Sequence, residues 1–155
     1  MRMMTTPELE PVPQVVYVAG LMFDAARSRV ALMRKLKPLW QMGKLNGIGG
    51  KVEPGEEPKS AMVREFREEA GAVTTEEQWT QFLGMDGPDW TCHFFATVGD
   101  LDALETMELE PIEVVELISL TPLRGDVIAN IPWIVPLALE RLATGEPHFA
   151  WVQYR

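Results

Sequence analysis

The sequence predicts an α/β domain: one mixed β-sheet with a helix on each face. Three observations carry that expectation. Short runs of β-branched and apolar residues recur along the chain, separated by turn residues. Residues 58–70 place their apolar side chains on one stripe at helical spacing. A second helical segment, 131–143, follows the last long apolar strand. The 155 residues correspond to one domain at roughly 100–200 residues each. A chain of this size buries about 70% of its unfolded surface and folds without a disulfide or metal staple.

Residues 1–13 hold Pro7, Pro11 and Pro13 and read as a loose lead-in, so the expected division is a flexible 1–13 and a single domain over 14–155. Gln14–Phe23 is apolar and β-branched, the pattern of a buried strand. Asp24–Ser28 reads as a turn and Arg29–Arg34 as a strand paired with the first. Lys35–Asn46 has no period and reads as a loop. Gly47, Gly49, Gly50 and Gly55 then punctuate the chain as a glycine-rich turn. Pro58–Ala70 reads as a helix, with Pro58 suited to the first turn and Gly71 to the C-terminal cap.

Gln81–Met85 and Trp90–Val98 read as strands split by the turn Asp86-Gly87-Pro88-Asp89. Gly99–Pro111 reads as an acidic loop and Ile112–Leu120 as a strand. Ile131–Ala143 reads as a helix and His148–Tyr154 as a short last strand.

Fourteen bases against twenty-three acids give a net charge of −9. That disfavours a nucleic-acid polymer or an anionic membrane as partner. No apolar run reaches the about 20 residues that a bilayer needs, and no segment reads as a targeting address. The single cysteine, Cys92, cannot form an internal disulfide, which suits a reducing cytoplasm. The charges are unevenly distributed. Ala25–Val52 carries seven bases and no acid; Gly99–Leu123 carries seven acids and no base. One reading is ordinary solvated loops. The other is a basic flank for polyphosphate facing carboxylates gathered for divalent cations.

The helix at 58–70 is the informative element. With Glu65 at zero, Glu69 falls near about 40° and Glu68 near about 300°, at 100° per residue. Three carboxylates therefore share one face beside the apolar stripe of Met62, Val63, Phe66 and Ala70. Like charges at i, i+4 cost a helix a few tenths of a kcal/mol. A divalent cation removes that repulsion, and clustered carboxylates suit Mg2+, Mn2+ or Ca2+ better than zinc. A plain solvated acidic face is the alternative, but the glycines and Lys51 just upstream are what a phosphate would use.

Gly50, five residues, Glu56, seven residues, then Arg64-Glu65-Phe66-Arg67-Glu68-Glu69-Ala70-Gly71 resembles the Nudix box, with Ala72 small at the closing apolar position. The resemblance implies a Nudix-like α/β/α sandwich and hydrolysis of a nucleoside diphosphate linked to another group, using Mg2+ or Mn2+. It implies Glu65, Glu68 and Glu69 as metal ligands with the Gly49 backbone. It implies Arg64 as a salt-bridge holder, Glu56 as a member of the acidic cluster and the Gly50 backbone at metal or phosphate, so that Glu56, Gly50 and Lys51 are candidates for substrate binding. Arg34, on the basic flank, is a further candidate for substrate binding. Which glutamate acts as base stays open.

The family often adds a distal acid. Glu116 shares a strand face with Val114 and Ile118 and is the first candidate, with Glu113 and the 100–110 loop in reserve. Asn46-Gly47-Ile48-Gly49-Gly50-Lys51-Val52 resembles the run of the oxidised-purine triphosphatases, which implies Asn46 as a base reader. A turn asparagine is the competing reading. That branch's paired base-reading aspartates are absent; Asn130 and Ile131 stand at the equivalent helix start. The expected substrate is a (d)NTP, with an oxidised purine such as 8-oxo-dGTP among the candidates, cleaved to NMP and pyrophosphate by a monomer or homodimer. Pro88, about sixteen residues beyond the box, also fits ADP-ribose pyrophosphatases, although a turn explains it as well. A nucleotide-sensing module that does not cleave is the alternative of another class. Trp40, Trp79 and Trp90 read as packing residues or base-stacking platforms, and Cys92 and His93 as buried fillers.

Overall fold

The structure of the chain, a computed structural model, describes residues 14–145 and 149–155. The expected lead-in of residues 1–13 and His148 lie outside the described residues. Eight strands form one mixed sheet: β1 (Val15–Phe23), β2 (Arg29–Arg34), β3 (Leu45–Asn46), β4 (Ile48–Lys51), β5 (Thr80–Asp86), β6 (Trp90–Val98), β7 (Ile112–Glu116) and β8 (Ala150–Gln153). Two helices, α1 (Pro58–Ala70) and α2 (Ile131–Thr144), complete it. The order is β3-β2-β1-β6-β5-β8, with β4 also on β1 and β7 also on β2. β1 runs parallel to β6 and antiparallel to β2 and β4.

The apolar run in β1 is continuous because both of its faces are covered. Val18 and Met22 point to one side; Ala19, Leu21 and Phe23 point to the other. β2 divides likewise, with Val30 and Leu32 opposite Ala31 and Met33. On one face α1 buries Ala61, Met62, Phe66 and Ala70 together with Trp79. On the other, α2 buries Ile131, Ile134, Val135 and Ala138. Burying a side chain such as Met62 or Phe66 contributes about 1.5–3 kcal/mol. The expected α/β layering, with a helix on each face, is the observed architecture. Among the described residues no helix is long and apolar enough to cross a membrane.

Three local expectations change. Of the expected glycine-rich turn, Gly49 and Gly50 lie in strand β4, paired with β1 from Tyr17–Lys51 to Gly20–Ile48, while Gly55 does sit in a turn. The expected strand to Leu120 stops at Glu116, and Leu117–Ser119 forms a 3-10 turn. The 35–46 loop contains a 3-10 turn at Leu39–Gln41 and ends in β3.

Candidate active site

α1 begins with Pro58 at its first turn and stops at Gly71, whose φ of 71° is left-handed and whose N–H closes on the Arg67 carbonyl. The next orphan carbonyls, Glu69 and Ala70, accept from the Met107 and Glu105 N–H groups. Those two bonds dock the 105–107 segment on the helix end. They thereby bring Glu108 and Glu110 to the acidic face.

β4 lies against the same helix, and its glycines set the spacing. A Cβ on Gly49 would overlap the Val18 carbonyl oxygen. A Cβ on Gly50 would lie 2.5 Å from Glu65 Oε2. The strand can therefore pass β1 and leave room for a carboxylate only without side chains at these two positions.

Arg64 is the hub. Its Nε and Nη2 donate to the two Glu56 oxygens at 2.8 and 2.9 Å. Nη1 donates to Glu65 at 2.7 Å and to Glu68 at 3.1 Å, and Nη2 also reaches the Lys51 carbonyl at 3.0 Å. The fork matches planar bidentate recognition, which a lysine cannot supply. The Arg64 guanidinium holds the Glu56 carboxyl below its ordinary value. Burial raises Glu65, against the pull of Arg64. Glu69 is pushed up to about 7, first by burial and then by Glu108, Glu65 and Glu110, with Lys35 opposing.

Three buried side-chain atoms lack a hydrogen-bond partner among the described residues: Glu69 Oε2, Asn130 Oδ1 and Arg141 Nε. A buried carboxylate oxygen without a partner is costly. Glu69 Oε2 lies in the cluster where a hard cation would fit. No group of three or more His, Cys, Asp or Glu among the described residues converges on one point; Arg64 bridges Glu65 and Glu68 instead. The carboxylates of Glu65, Glu68 and Glu69, one of them with an orphaned oxygen, are the donor chemistry a divalent cation takes, though here they do not converge on one point.

Two expected site residues are elsewhere. Glu116 is exposed at the far end of β7 from Glu110, opposite Arg29. The five strand residues of β7 span about 13 Å at 3.3 Å each. The face it was expected to share is not apolar core: Val114 is 42% and Ile118 91% exposed. Arg34 is committed to Glu113, which it meets with Nε and Nη2, to the Gly43 carbonyl at 2.7 Å and to Asp126. Glu113, the reserve acid, is therefore taken as well.

The uneven charge pattern resolves in the same way. β2 and β7 are neighbours, so the basic run pairs with the acidic run through Arg34–Glu113, Lys35–Glu110 at 2.7 Å and Arg29–Asp102 at 3.4 Å. Part of the expected basic flank is structural. Lys51 lies at the exposed end of β4, and its side chain makes no described contact.

Asn46 donates to Gln41 Oε1 at 3.0 Å and accepts from the Gly47 N–H at 2.8 Å. Beside it, Ile128 N–H donates to the Leu45 carbonyl and Leu45 N–H to Asp126. This adds the 126–128 segment to β3 and brings the start of α2, with Asn130, alongside. Trp79 is buried under α1 with its Nε1 on Thr74 Oγ1 at 2.8 Å. Trp90 is half-buried near Tyr154, and Trp40 is 65% exposed. His93 bonds Gln81 at 2.8 Å, and burial pushes the Cys92 thiol up to about 12.

Glu108 and Glu110 belong to the 100–110 loop held in reserve for the distal acid, whereas nothing in the sequence pointed to Gln41. The seven-acid run pointed to the first two, but nothing in it marked which acids would turn toward α1.

Comparison with known proteins shows the family and the fold. The NUDIX domain family model matches residues 13–134. A MutT structure described for Aliivibrio salmonicida and Vibrio cholerae is 25% identical, with a TM-score of 0.66, covering 82% of this chain and 98% of that one. A NUDIX hydrolase from Nitrosomonas europaea is 19% identical, with a TM-score of 0.69 and coverage of 92% and 79%. The NUDIX domain of Shewanella oneidensis NrtR, solved with ADP ribose, is 15% identical, with a TM-score of 0.69 and coverage of 89% and 94%. No curated protein matches the chain. With the family model spanning most of the sequence and the glutamate helix, its arginine hub and the glycine strand assembled in one place, the chain belongs to the Nudix family and is a Nudix pyrophosphohydrolase, a hydrolase of nucleoside diphosphates linked to another group.

Proposed function

We propose that this chain hydrolyses a nucleoside triphosphate to the nucleoside monophosphate and pyrophosphate, using Mg2+ or Mn2+ held by Glu65, Glu68 and Glu69. The observation that carries the metal site is the buried, unpartnered Glu69 Oε2 beside Glu65 and Glu108. Bound there, the cation neutralises phosphate charge and lowers the pKa of water.

The chain's own residues do the positioning. Arg64 fixes Glu65 and Glu68, and Gly50 leaves Glu65 its place. Glu108, on the docked 105–108 segment, is the distal acid in place of Glu116. A water oxygen bonds to one phosphorus of the α–β linkage, and the bridging P–O bond breaks. A cluster carboxylate takes the water's proton. Lys51, at the exposed end of β4, meets the phosphates.

Asn46 and Asn130 face the base. Support for this comes from the unmet Asn130 Oδ1 acceptor and from the pairing of the 126–128 segment with β3. An oxidised purine such as 8-oxo-dGTP is the preferred base. The single cysteine supports a reducing cytoplasm.

A second reading takes ADP-ribose as substrate; it is favoured by the NrtR domain, whose structure holds that ligand. The test is a panel of (d)NTPs, 8-oxo-dGTP and ADP-ribose incubated with Mg2+ and followed by phosphate products. Turnover of triphosphates well above ADP-ribose supports the first reading. The reverse order supports the second, and binding without turnover of any compound contradicts both.

A further inference from the structure

Beside the acidic face lies an open cavity of about 650 Å3, within the size range of small-ligand sites. Its wall is the outer face of α1 with Glu76, Met107 and Glu108, and Arg64, Arg67 and Glu68 also line it. The cavity therefore runs directly into the cluster: Arg64 and Glu68 belong to both, and Glu108 is the strongest neighbouring charge on Glu69.

Of the two bases that line the cavity, one is engaged and one is not. Arg64 is held by three glutamates, and Glu76 accepts from Ser60 at 2.5 Å. Arg67 projects from α1 with no hydrogen bond or ion pair on its guanidinium among the described residues; only its backbone carbonyl is used, by Gly71. Nor does Arg67 cover core. At 100° per residue it falls about 100° beyond the Phe66 stripe, and it is exposed.

Two arginines against three glutamates leave the cavity one charge negative. A divalent cation held by the neighbouring Glu65, Glu68 and Glu69 would reverse that sign, and the cavity would then suit an anion that arrives with the metal. A free guanidinium suits a phosphate, which it can grip through two N–H bonds.

We propose that Arg67 binds the terminal phosphate of the substrate and of the departing pyrophosphate, making this cavity the seat of the leaving group. This rests on the triphosphate reading above and deepens it: the site selects for a chain of three phosphates over a diphosphate bridged to a sugar. The test is calorimetric titration of pyrophosphate and, separately, of a nucleoside monophosphate, with Mg2+ present, into the wild-type protein and Arg67→Ala, Arg67→Gln and Arg67→Lys.

Pyrophosphate affinity is expected to fall about tenfold in the Ala and Gln variants and to recover partly with Lys. Monophosphate affinity stays within about twofold in all of them. Without Mg2+, pyrophosphate binding disappears. In turnover, Arg67→Ala raises KM for the triphosphate and leaves KM for ADP-ribose unchanged. Equal pyrophosphate affinity in wild type and Arg67→Ala overturns the proposal, as does an equal loss for the monophosphate. Because the titration needs no turnover, Arg67-dependent pyrophosphate binding in a protein that spares triphosphates would contradict the substrate reading alone.

Discussion

Replacing Gly50 with alanine tests whether the glycine strand exists to make room for Glu65. The new methyl carbon would sit 2.5 Å from Glu65 Oε2 and 2.6 Å from its Cδ, where ordinary contact begins at 3.4 Å. One of the two groups must therefore move by about 0.9 Å. The backbone of β4 is pinned by its register with β1, from Tyr17–Lys51 to Gly20–Ile48, so the carboxylate gives way. That movement breaks the 2.7 Å bond from Arg64. A hydrogen bond to a charged group contributes about 1.5–3 kcal/mol, which corresponds to about 10- to 150-fold in a rate that depends on it.

The assay is kcat/KM for the best nucleotide with Mg2+, together with Mn2+ affinity measured by electron paramagnetic resonance. Gly125→Ala is the control, since a Cβ there meets nothing within 4 Å. Gly50→Ala is expected to lose at least tenfold in both measurements while Gly125→Ala matches wild type. A Gly50→Ala protein with wild-type turnover and wild-type Mn2+ affinity would refute the reasoning.

Four further outcomes follow from the same contacts. Glu68→Gln and Glu69→Gln lower kcat at least about 100-fold with folding intact by circular dichroism, whereas Glu116→Gln stays within about twofold, since removing a metal-held carboxylate removes transition-state stabilisation. Chelating the divalent cation with EDTA abolishes turnover, and added Mg2+ or Mn2+ restores it. Arg34→Ala lowers Tm by several degrees through the lost contacts to Glu113, Asp126 and the Gly43 carbonyl, but leaves KM for the nucleotide unchanged; a raised KM would return Arg34 to the substrate. Asp24 caps the β1–β2 turn by accepting from Ser28 and Arg29, and these hydrogen bonds hold its carboxyl at about 2. Its stabilisation is therefore complete above 3.8 and lost as pH falls through about 2. Acid unfolding followed by fluorescence should begin at higher pH in Asp24→Asn.

What could be read from the sequence was whatever depends on local spacing. Phe66 and Met62 recur at helical period beside Glu65 and Glu69, so both the core face and the acidic face of α1 were legible. The layering of β1 was legible as well, because an unbroken apolar run needs cover on both sides. What depends on strand pairing was not. The segment with Gly49 and Gly50 reads locally as a turn, and only pairing with β1 makes it a strand. Arg34 reads as a free base until β7 brings Glu113 across from β2. Glu116 has the right neighbours in sequence, but the chain enters a 3-10 turn at Leu117, leaving that face in water. Glu108 was hidden among seven acids because its place is set by the Met107 and Glu105 bonds to the end of α1.

The most direct test of the account follows the products by phosphorus-31 nuclear magnetic resonance, with a nucleoside triphosphate, Mg2+ and the wild-type chain in one tube. The account predicts paired growth of nucleoside monophosphate and pyrophosphate signals, absent in Glu68→Gln/Glu69→Gln. Growth of nucleoside diphosphate and orthophosphate, or an unchanged triphosphate spectrum, would contradict it.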